Sequence, residues 1–211
     1  TASRVDRFVA ISKHIQKRIQ EFYGRESDVV YPPVDTDRCT PGRSPGNGGY
    51  DLVVSAMVPY KRVDLAVAAY TKLGYPLKVV GVGSKLAELK ASAGANVEFL
   101  EWQADDAVLE LYRGCRQLVF PGEEDFGIVP LEAQACGRPV VAYGCGGALE
   151  TVADGLSGIF FEEQTETCLI DAVERCAAEA WDPQRIREHA KRFGISNFVS
   201  GLADSMQRCL S

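Results

Sequence analysis

The stretch QLVFPGEEDFGIVPLEAQACGRPVVAYG, residues 117–144, decides the fold. It contains a short apolar segment, a glycine-containing turn, a short helical segment that ends at a glycine, and a second apolar segment. Such short segments, apolar on both faces and rich in Val, Leu or Phe, are typical of strands that lie between two layers of helices. The stretch therefore predicts one strand–helix–strand unit of a parallel α/β sheet.

The same alternation continues on both sides of this stretch. Further strands are predicted in DLVVSAM, LKVVGVG, VEFL and GIFF, each followed by a helical segment, and helices then continue to the end of the chain. Six such units predict an α/β fold with a Rossmann-like, doubly wound parallel sheet from about residue 28 onward and with C-terminal helices.

The first residues do not fit this repeat. RFVAIS predicts a strand, and Ser12 is expected to cap an amphipathic helix, KHIQKRIQEFY, that ends at Gly24. DVVYPPV predicts a short strand broken by two prolines, and TPGRSPGNGG, residues 40–49, predicts a linker or long turn. Residues 1–24 therefore look like part of a different unit.

Composition excludes several classes of protein. A length of 211 residues suits one large domain or one and a half, and a net charge of −6 argues against nucleic acid as the main partner. No apolar run approaches the length of a membrane span, and the N-terminus lacks the apolar core of a signal peptide. Because the seven cysteines form no CxxC pair and the two histidines lie far apart, we expect no zinc site.

The loops after the strands are the expected place for a ligand, because open α/β sheets bind ligands beyond the carboxyl ends of their strands. Four segments are predicted to lie there: SAMVPYKR, GVGSK, PGEEDFGIV and YGCGGALE. The first of them supplies Lys61 and Arg62, two positive charges that suit a diphosphate without a metal. We therefore expect residues that are scattered in sequence to converge on one site.

The helix start near Gly127 predicts an anion site. Pro130 suits the first turn of a helix, where a missing N–H costs nothing, and Gly127 lets the backbone approach a ligand closely. The free N–H groups of Gly127, Ile128 and Val129, together with the helix dipole, favour a phosphate there.

Two glutamates flank this predicted phosphate site. Glu132 lies one turn into the helix, where a carboxylate can accept hydrogen bonds from a vicinal diol such as a ribose. Glu124 precedes the glycine turn and is expected to reach a sugar beyond the phosphate. Taken singly, Glu132 is more often a solvated helix residue, and Lys61 and Arg62 more often surface charges; their joint position favours a ligand site.

Three other polar or aromatic residues receive no role at this stage. Trp102 and Tyr143 lie near strand ends and could line a pocket for a base, but we expect both to pack in the core instead. We expect His14 to lie on an exposed flank of its helix.

These motifs resemble a known family. The segment PGEEDFGIVPLEAQACGRPVVAYGCGGALETV is similar to the nucleotide-sugar signature of the group 1 (family 4) retaining glycosyltransferases. VVSAMVPYKRVDLAVAAY resembles the family's first phosphate-binding segment, and FVAISKHIQKRIQEFYGRESDVVYPPVDTD resembles its interdomain segment. The two glutamates separated by seven residues, the FG turn, the LEA helix and the GG-ALE turn occur in the family's order, and the likeness covers nearly the whole chain.

The resemblance implies a GT-B architecture, in which two Rossmann-like domains face a cleft, and identifies this chain with the C-terminal, donor-binding half. Residues 1–27 would then be a remnant of the N-terminal domain and interdomain segment. Residues 28–194 would form the nucleotide-sugar-binding domain, and residues 195–211 a helix that crosses back to the missing domain.

The resemblance also implies roles for the site residues. Glu124 and Lys61 would be catalytic, with Lys61 on the donor diphosphate and Glu124 near the reacting carbon of the transferred sugar. The donor would further contact Arg62, Gly127, Ile128, Val129 and Glu132. The family transfers sugar with retention and without a metal or other cofactor. Ala56 stands where the family often has an arginine, so one phosphate contact is either lost or supplied by Arg62.

Several alternatives remain open at this stage. The chain could be a non-catalytic subunit of a split transferase, or a nucleotide-sugar epimerase; the spacing of the glutamates favours the transferase. The motifs are most like those of bacterial mannosyltransferases that use GDP-mannose in polysaccharide biosynthesis. We expect a nucleotide sugar, a glycan or lipid-linked acceptor and the missing acceptor domain as partners, and a cytoplasmic location, peripheral at the inner membrane face for the full-length protein. The isolated domain is expected to be inactive.

Overall fold

The computed structural model describes residues 2–42, 46 and 48–210. The predicted turn at 40–49 lies outside the described residues at positions 43–45 and 47. The strands are β1 (Phe8–Ala10), β2 (Ser27–Val29), β3 (Asp51–Val54), β4 (Leu77–Val80), β5 (Val97–Glu101), β6 (Leu118–Phe120), β7 (Val140–Tyr143) and β8 (Gly158–Phe161). The helices are α1 (Lys13–Tyr23), α2 (Val63–Leu73), α3 (Leu86–Ser92), α4 (Asp105–Gly114), α5 (Ile128–Ala135), α6 (Ala148–Thr151), α7 (Glu166–Ala178), α8 (Pro183–Lys191) and α9 (Ile195–Leu210), with short 3-10 helices at Ala2–Arg4 and Pro59–Lys61.

Strands β3 to β8 form one parallel sheet in the order β5-β4-β3-β6-β7-β8. The chain starts at β3 in the middle, proceeds to one edge, and returns to β6 beside β3 before it proceeds to the other edge. The prediction of a doubly wound, Rossmann-like sheet is therefore confirmed. The strand order reverses between β3 and β6, and this reversal defines the switch point where such sheets bind ligands.

The sheet is buried on both faces, as its apolar strands predict. Val53, Val79, Val119 and Val141 belong to a core cluster shared with α2 and α7. Their neighbours along the strands pack in a second cluster with α4 and α5, namely Leu52, Val80, Leu118 and Val140. Each buried aliphatic side chain of this kind contributes about 1.5–3 kcal/mol by its removal from water, so the two clusters hold the strand ends in fixed positions.

Residues 8–29 form a separate β1–α1–β2 unit. Strands β1 and β2 pair in parallel in a sheet of their own. The expected start and end of α1 are confirmed: the Ser12 hydroxyl accepts the amide of Ile15 at 3.0 Å, and Gly24 ends the helix with φ 61°. The last helix, α9, returns to this unit, where Ser205 donates to Asp28 at 2.6 Å. The division of the chain into three domain segments stays a prediction.

Helix α6 is shorter than the sequence predicts. The segment GALETVADG predicts a helix over most of its length, but α6 covers only Ala148–Thr151. Val152 takes an extended conformation, with φ −111° and ψ 135°, and its side chain is buried in the core. Burial of this β-branched residue therefore ends the helix after one turn.

Candidate ligand-binding site

The loops that follow β3 and β6 meet at the switch point. The loop after β3 ends in the 3-10 helix that carries Lys61. Gly122 follows β6, and a Cβ atom on this glycine would lie 2.8 Å from the Cα atom of Lys61. Because real Cβ atoms do not approach so closely, only glycine allows the two loops to touch here.

Lys61 and Glu124 form an ion pair between these two loops. Both side chains are largely buried, with 20% and 18% of their surface exposed. Burial lowers the pKa of Lys61, and the nearby Asp125 carboxylate partly opposes this effect. The structure thus brings together the two predicted catalytic residues, and it gives the lysine a carboxylate partner that an anionic ligand would have to displace.

Helix α5 begins beside this ion pair without a side-chain cap. Gly127 is its first flanking residue, with φ 102°, and among the residues that the structure describes no N-cap side chain hydrogen-bonds the first turn. The first amides of an α-helix have no partner within the helix. Those of Gly127, Ile128 and Val129 are therefore available to an anion, and Ile128 is exposed.

Glu132, one turn into α5, lines a cavity of about 260 Å³. Tyr112 donates to the Glu132 carboxylate at 2.8 Å. Burial raises the pKa of Glu132, while the hydrogen bond from Tyr112 opposes the shift. Arg38 lines the same cavity and pairs with Asp105 and Asp106 at 3.3 and 2.9 Å. The site therefore has two compartments, with Glu124 in one and Glu132 in the other.

The compartment of Glu124 is a cleft of about 520 Å³. Arg62 lines it, and this arginine has φ 52° and donates to Gln164 at 3.0 Å. Gln164 in turn donates to the carbonyl of Pro121 at 2.9 Å. Arg62 is thus tied to the loop after β8 instead of being free in solvent, and its guanidinium faces the same cleft as Glu124.

The glycines of the GGALE turn serve close packing. A Cβ atom on Gly147 would lie 2.2 Å from the Cα atom of Phe126, and one on Gly146 would lie 2.5 Å from the carbonyl oxygen of Glu124. The amide of Gly147 donates to that same carbonyl at 2.7 Å. The turn therefore supports the loop that carries Glu124.

Two sequence-based interpretations are wrong. Trp102 is 72% exposed, because the chain turns away from the core where β5 ends, whereas Tyr143 packs against Phe161 in the core as expected. His14 lies on the wall of the cleft with only 28% of its side chain exposed, because α1 packs against the loop after β6.

Sequence reasoning also missed residues that shape the site. Arg18 lines the cleft and pairs with Asp125 at 3.1 Å, and Tyr112 holds Glu132. The spacing of His14 and Arg18, four residues apart on one helix, is the sequence signal that they share a face. Nothing in the sequence near Tyr112 connects it to Glu132, because the contact joins α4 to α5.

Residues 2–42, 46 and 48–210 contain no group of three or more His, Cys, Asp or Glu side chains arranged to hold a metal ion. In the same part of the chain, no helix is both long enough and apolar enough to cross a membrane.

The strand order and the parallel pairing place the chain in the class of Rossmann-like α/β proteins. The sequence profile of the family described as "Glycosyl transferases group 1" matches residues 42–193, which is most of the chain. The chain belongs to this family of group 1 glycosyl transferases, and the resemblance inferred from the motifs is confirmed.

Relatives with assigned names support the same family. A D-inositol 3-phosphate glycosyltransferase of Stackebrandtia nassauensis is 33% identical, over 85% of this chain and 49% of its own length. The protein of the same name from Rhodococcus erythropolis is 31% identical, over 96% of this chain and 54% of its own length. An uncharacterized glycosyltransferase of Methanocaldococcus jannaschii is 29% identical, over 80% of this chain and 48% of its own length. The chain thus spans about half the length of the curated relatives it matches.

Solved structures share the fold. Anabaena HepE in complex with UDP-glucose has a TM-score of 0.85 at 23% identity, over 98% of this chain and 65% of that one. Sucrose-phosphate synthase from Thermosynechococcus elongatus has a TM-score of 0.83 at 21% identity, over 96% of this chain and 58% of that one.

Proposed function

We propose that this chain is the donor-binding half of a retaining glycosyltransferase and binds a nucleotide-diphosphate sugar at the β3–β6 switch point. The observation that carries the proposal is the contact of Lys61 with Glu124 beside the uncapped start of α5. A cation and free amides suit a diphosphate, and a carboxylate next to them suits the hydroxyl groups of a sugar.

The two compartments suggest how the donor lies. The diphosphate would replace Glu124 as the ion-pair partner of Lys61. It would also accept hydrogen bonds from the amides of Gly127, Ile128 and Val129. The released Glu124 carboxylate would then face the transferred sugar, and Glu132 would accept hydrogen bonds from the ribose hydroxyls in its own cavity. Arg62, held by Gln164, would add a second positive charge to the cleft.

Lys61 and the helix start would assist the reaction by stabilising the leaving diphosphate as negative charge develops on it. The bond from the anomeric carbon to the diphosphate oxygen breaks, and a bond to the acceptor oxygen forms on the same face of the sugar. The acceptor proton passes to the diphosphate. Retention is an expectation from the family resemblance, and no metal or cofactor enters the proposal.

The identity of the donor is open to direct test. The motifs favour GDP-mannose, whereas the named complexes of Anabaena HepE contain UDP and UDP-glucose. The acceptor, the second domain, the polysaccharide pathway and the cytoplasmic location are likewise proposals for the whole protein. Since this chain spans about half the length of its relatives, we propose that it binds donor but transfers no sugar by itself.

A thermal-shift panel of UDP-, GDP-, ADP- and TDP-sugars tests the proposal. A donor at one hundred times its dissociation constant stabilises the fold by about 2.7 kcal/mol and raises the melting temperature by several degrees. Glu132→Ala should abolish the rise, and Glu174→Ala, an exposed acid on α7, should retain it. Absence of any shift at millimolar concentrations across the whole panel would refute the proposal.

A further inference from the structure

Glu150 lies outside the predicted donor contacts, yet its carboxylate caps a helix that is distant in sequence. It accepts the amides of Lys13 and His14, the first two residues of α1, at 2.9 and 3.1 Å. It also accepts the Tyr31 hydroxyl at 2.8 Å. Helix α1 has no acidic residue in its own first turn. Glu150 therefore supplies the negative charge that a helix start favours, and it ties α1 to the large sheet domain.

The capped helix presents two basic side chains to the loop after β6. His14 Nε2 lies 3.9 Å from Glu123 Oε1, and Arg18 pairs with Asp125 at 3.1 Å. The two acids flank Glu124 in sequence. Contacts on both sides of Glu124 therefore depend on where α1 lies.

The turn that leads to Glu150 also contacts this loop. The amide of Gly147 donates to the Glu124 carbonyl at 2.7 Å, and Gly147 packs on Phe126 so closely that no Cβ atom would fit. The loop with Glu124 thus contacts both the 146–150 turn and α1. The hydrogen bonds of Glu150 to the start of α1 join these two elements, so that both of them together restrain the loop.

We propose that Glu150 is a positioning residue for the donor site: through α1 it holds the loop of residues 123–126 and so sets the place of Glu124. The inference rests on the proposed function for what Glu124 does, but the mechanical coupling itself does not require a ligand. It also assigns the β1–α1–β2 unit a part in building the donor site.

Amide hydrogen exchange on this chain without ligand tests the coupling. In Glu150→Ala, the amides at 13–16 and those at 122–126 should exchange about tenfold faster, as expected for loss of a helix cap, while those of α7 stay unchanged. Glu150→Gln, which keeps the acceptor oxygen, should restore part of the protection. Faster exchange at 13–16 with an unchanged loop at 122–126 would overturn the proposal.

Arg18→Gln provides a second test that leaves the cap intact and serves if Glu150→Ala does not fold. It should speed amide exchange at residues 122–126 by about two- to fivefold, the size expected for loss of an exposed ion pair, without a change at 13–16. An unchanged loop in this variant would show that α1 does not hold it, and would equally overturn the proposal.

A binding measurement separates positioning from general destabilisation. With UDP and UDP-glucose as probes, Glu150→Ala should weaken binding of UDP-glucose about tenfold and leave the affinity for UDP nearly unchanged, because only the sugar would reach Glu124. Equal weakening of both probes would contradict a positioning role. If wild type binds neither UDP nor UDP-glucose and no other nucleotide sugar, the proposed function fails, and the exchange result still decides whether the coupling exists.

Discussion

Lys61 and Glu132 carry opposite charges, and burial acts against the charged form of both. Each has a hydrogen-bond partner of a different kind: the ammonium of Lys61 contacts the Glu124 carboxylate, and the carboxylate of Glu132 accepts the Tyr112 hydroxyl. A ligand that brings phosphates to the first and hydroxyl groups to the second would satisfy both residues better than the protein does alone. These two positions are therefore where single substitutions should affect binding most.

We expect Lys61→Ala to weaken the binding of UDP by about tenfold or more, because a charge-assisted hydrogen bond to phosphate is lost. It should also lower the free energy of unfolding by about 1–3 kcal/mol, because the largely buried Glu124 loses its partner. Calorimetric titration and urea unfolding measure the two effects. Lys72→Ala is the matched control, since the ion pair of Lys72 with Glu166 is exposed on the lysine side and should contribute little. Unchanged UDP affinity in Lys61→Ala would argue against its diphosphate role.

The pH dependence of the free energy of unfolding should reveal the raised pKa of Glu132. Because burial raises its pKa above the usual 4.5, the folded protein binds this proton more tightly than the unfolded chain does. The resulting stabilisation is complete below about pH 4.5 and is lost as the pH rises through the folded-state pKa. Glu132→Gln cannot ionise, so its free energy of unfolding relative to wild type should increase from about pH 4 to about pH 7. Parallel curves for the two proteins, measured in urea, would show that Glu132 has an ordinary pKa.

At the scale of elements, the loop with Glu124 depends on close backbone contact with the 146–150 turn. The backbone conformation at position 147 does not require glycine, since φ there is −66° and any residue can adopt it. This position needs glycine because Phe126 occupies the place of a side chain. A methyl group there would have to move the loop.

Gly147→Ala should therefore destabilise the protein by about 1–3 kcal/mol, as overpacking does, and displace the loop after β6. Gly144→Ala is the matched control, because a Cβ atom at Gly144 would make only ordinary contacts, at 3.4 Å or more. Urea unfolding measures the stability, and exchange of the amides at 122–126 reports the loop. The prediction fails if both alanine variants are equally stable.

Much of the element pattern follows from the sequence, because apolar runs and helix caps act over a few residues. The strands, the ends of α1 and the Rossmann-like order were all predictable in this way. The end of α6 was not, because burial of Val152 overrides its local helical pattern. The Glu150 cap was not either, since it joins residues more than one hundred positions apart. The separation of Glu132 from Glu124 depends on side-chain direction, which spacing alone does not give.

At the scale of the whole molecule, Asp28 joins three segments of the chain. It accepts from Arg7 Nε at 2.6 Å and from Ser205 at 2.6 Å, and Arg208 lies 3.2 Å away. The hydrogen bond from Arg7 is the largest cause that lowers the pKa of Asp28, followed by the hydrogen bond from Ser205. Together with Arg208 they hold this pKa well below its usual range. The β1–α1–β2 unit and α9 therefore meet at one carboxylate.

Asp28→Ala should release α9 from this unit. We expect the free energy of unfolding at neutral pH to fall by about 1–2 kcal/mol and the amides of α9 to exchange faster. Because the folded-state pKa is depressed, the stabilisation is present above about pH 3.8 and is lost as the pH falls through that depressed value, so the difference from wild type should shrink in strong acid. Asp204→Ala, an exposed acid on α9, is the control. A variant whose α9 exchanges like wild type would contradict the prediction.

The contact of Gly122 with Lys61 constrains how this protein could be re-engineered. Because the loops that follow two neighbouring strands touch here without any intervening side chain, mutagenesis libraries that randomise position 122 should consist mostly of misfolded clones. Tyr60 and Ile128 border the same region and are exposed, so diversity introduced there can alter which small molecule is accepted while the lysine stays in its place.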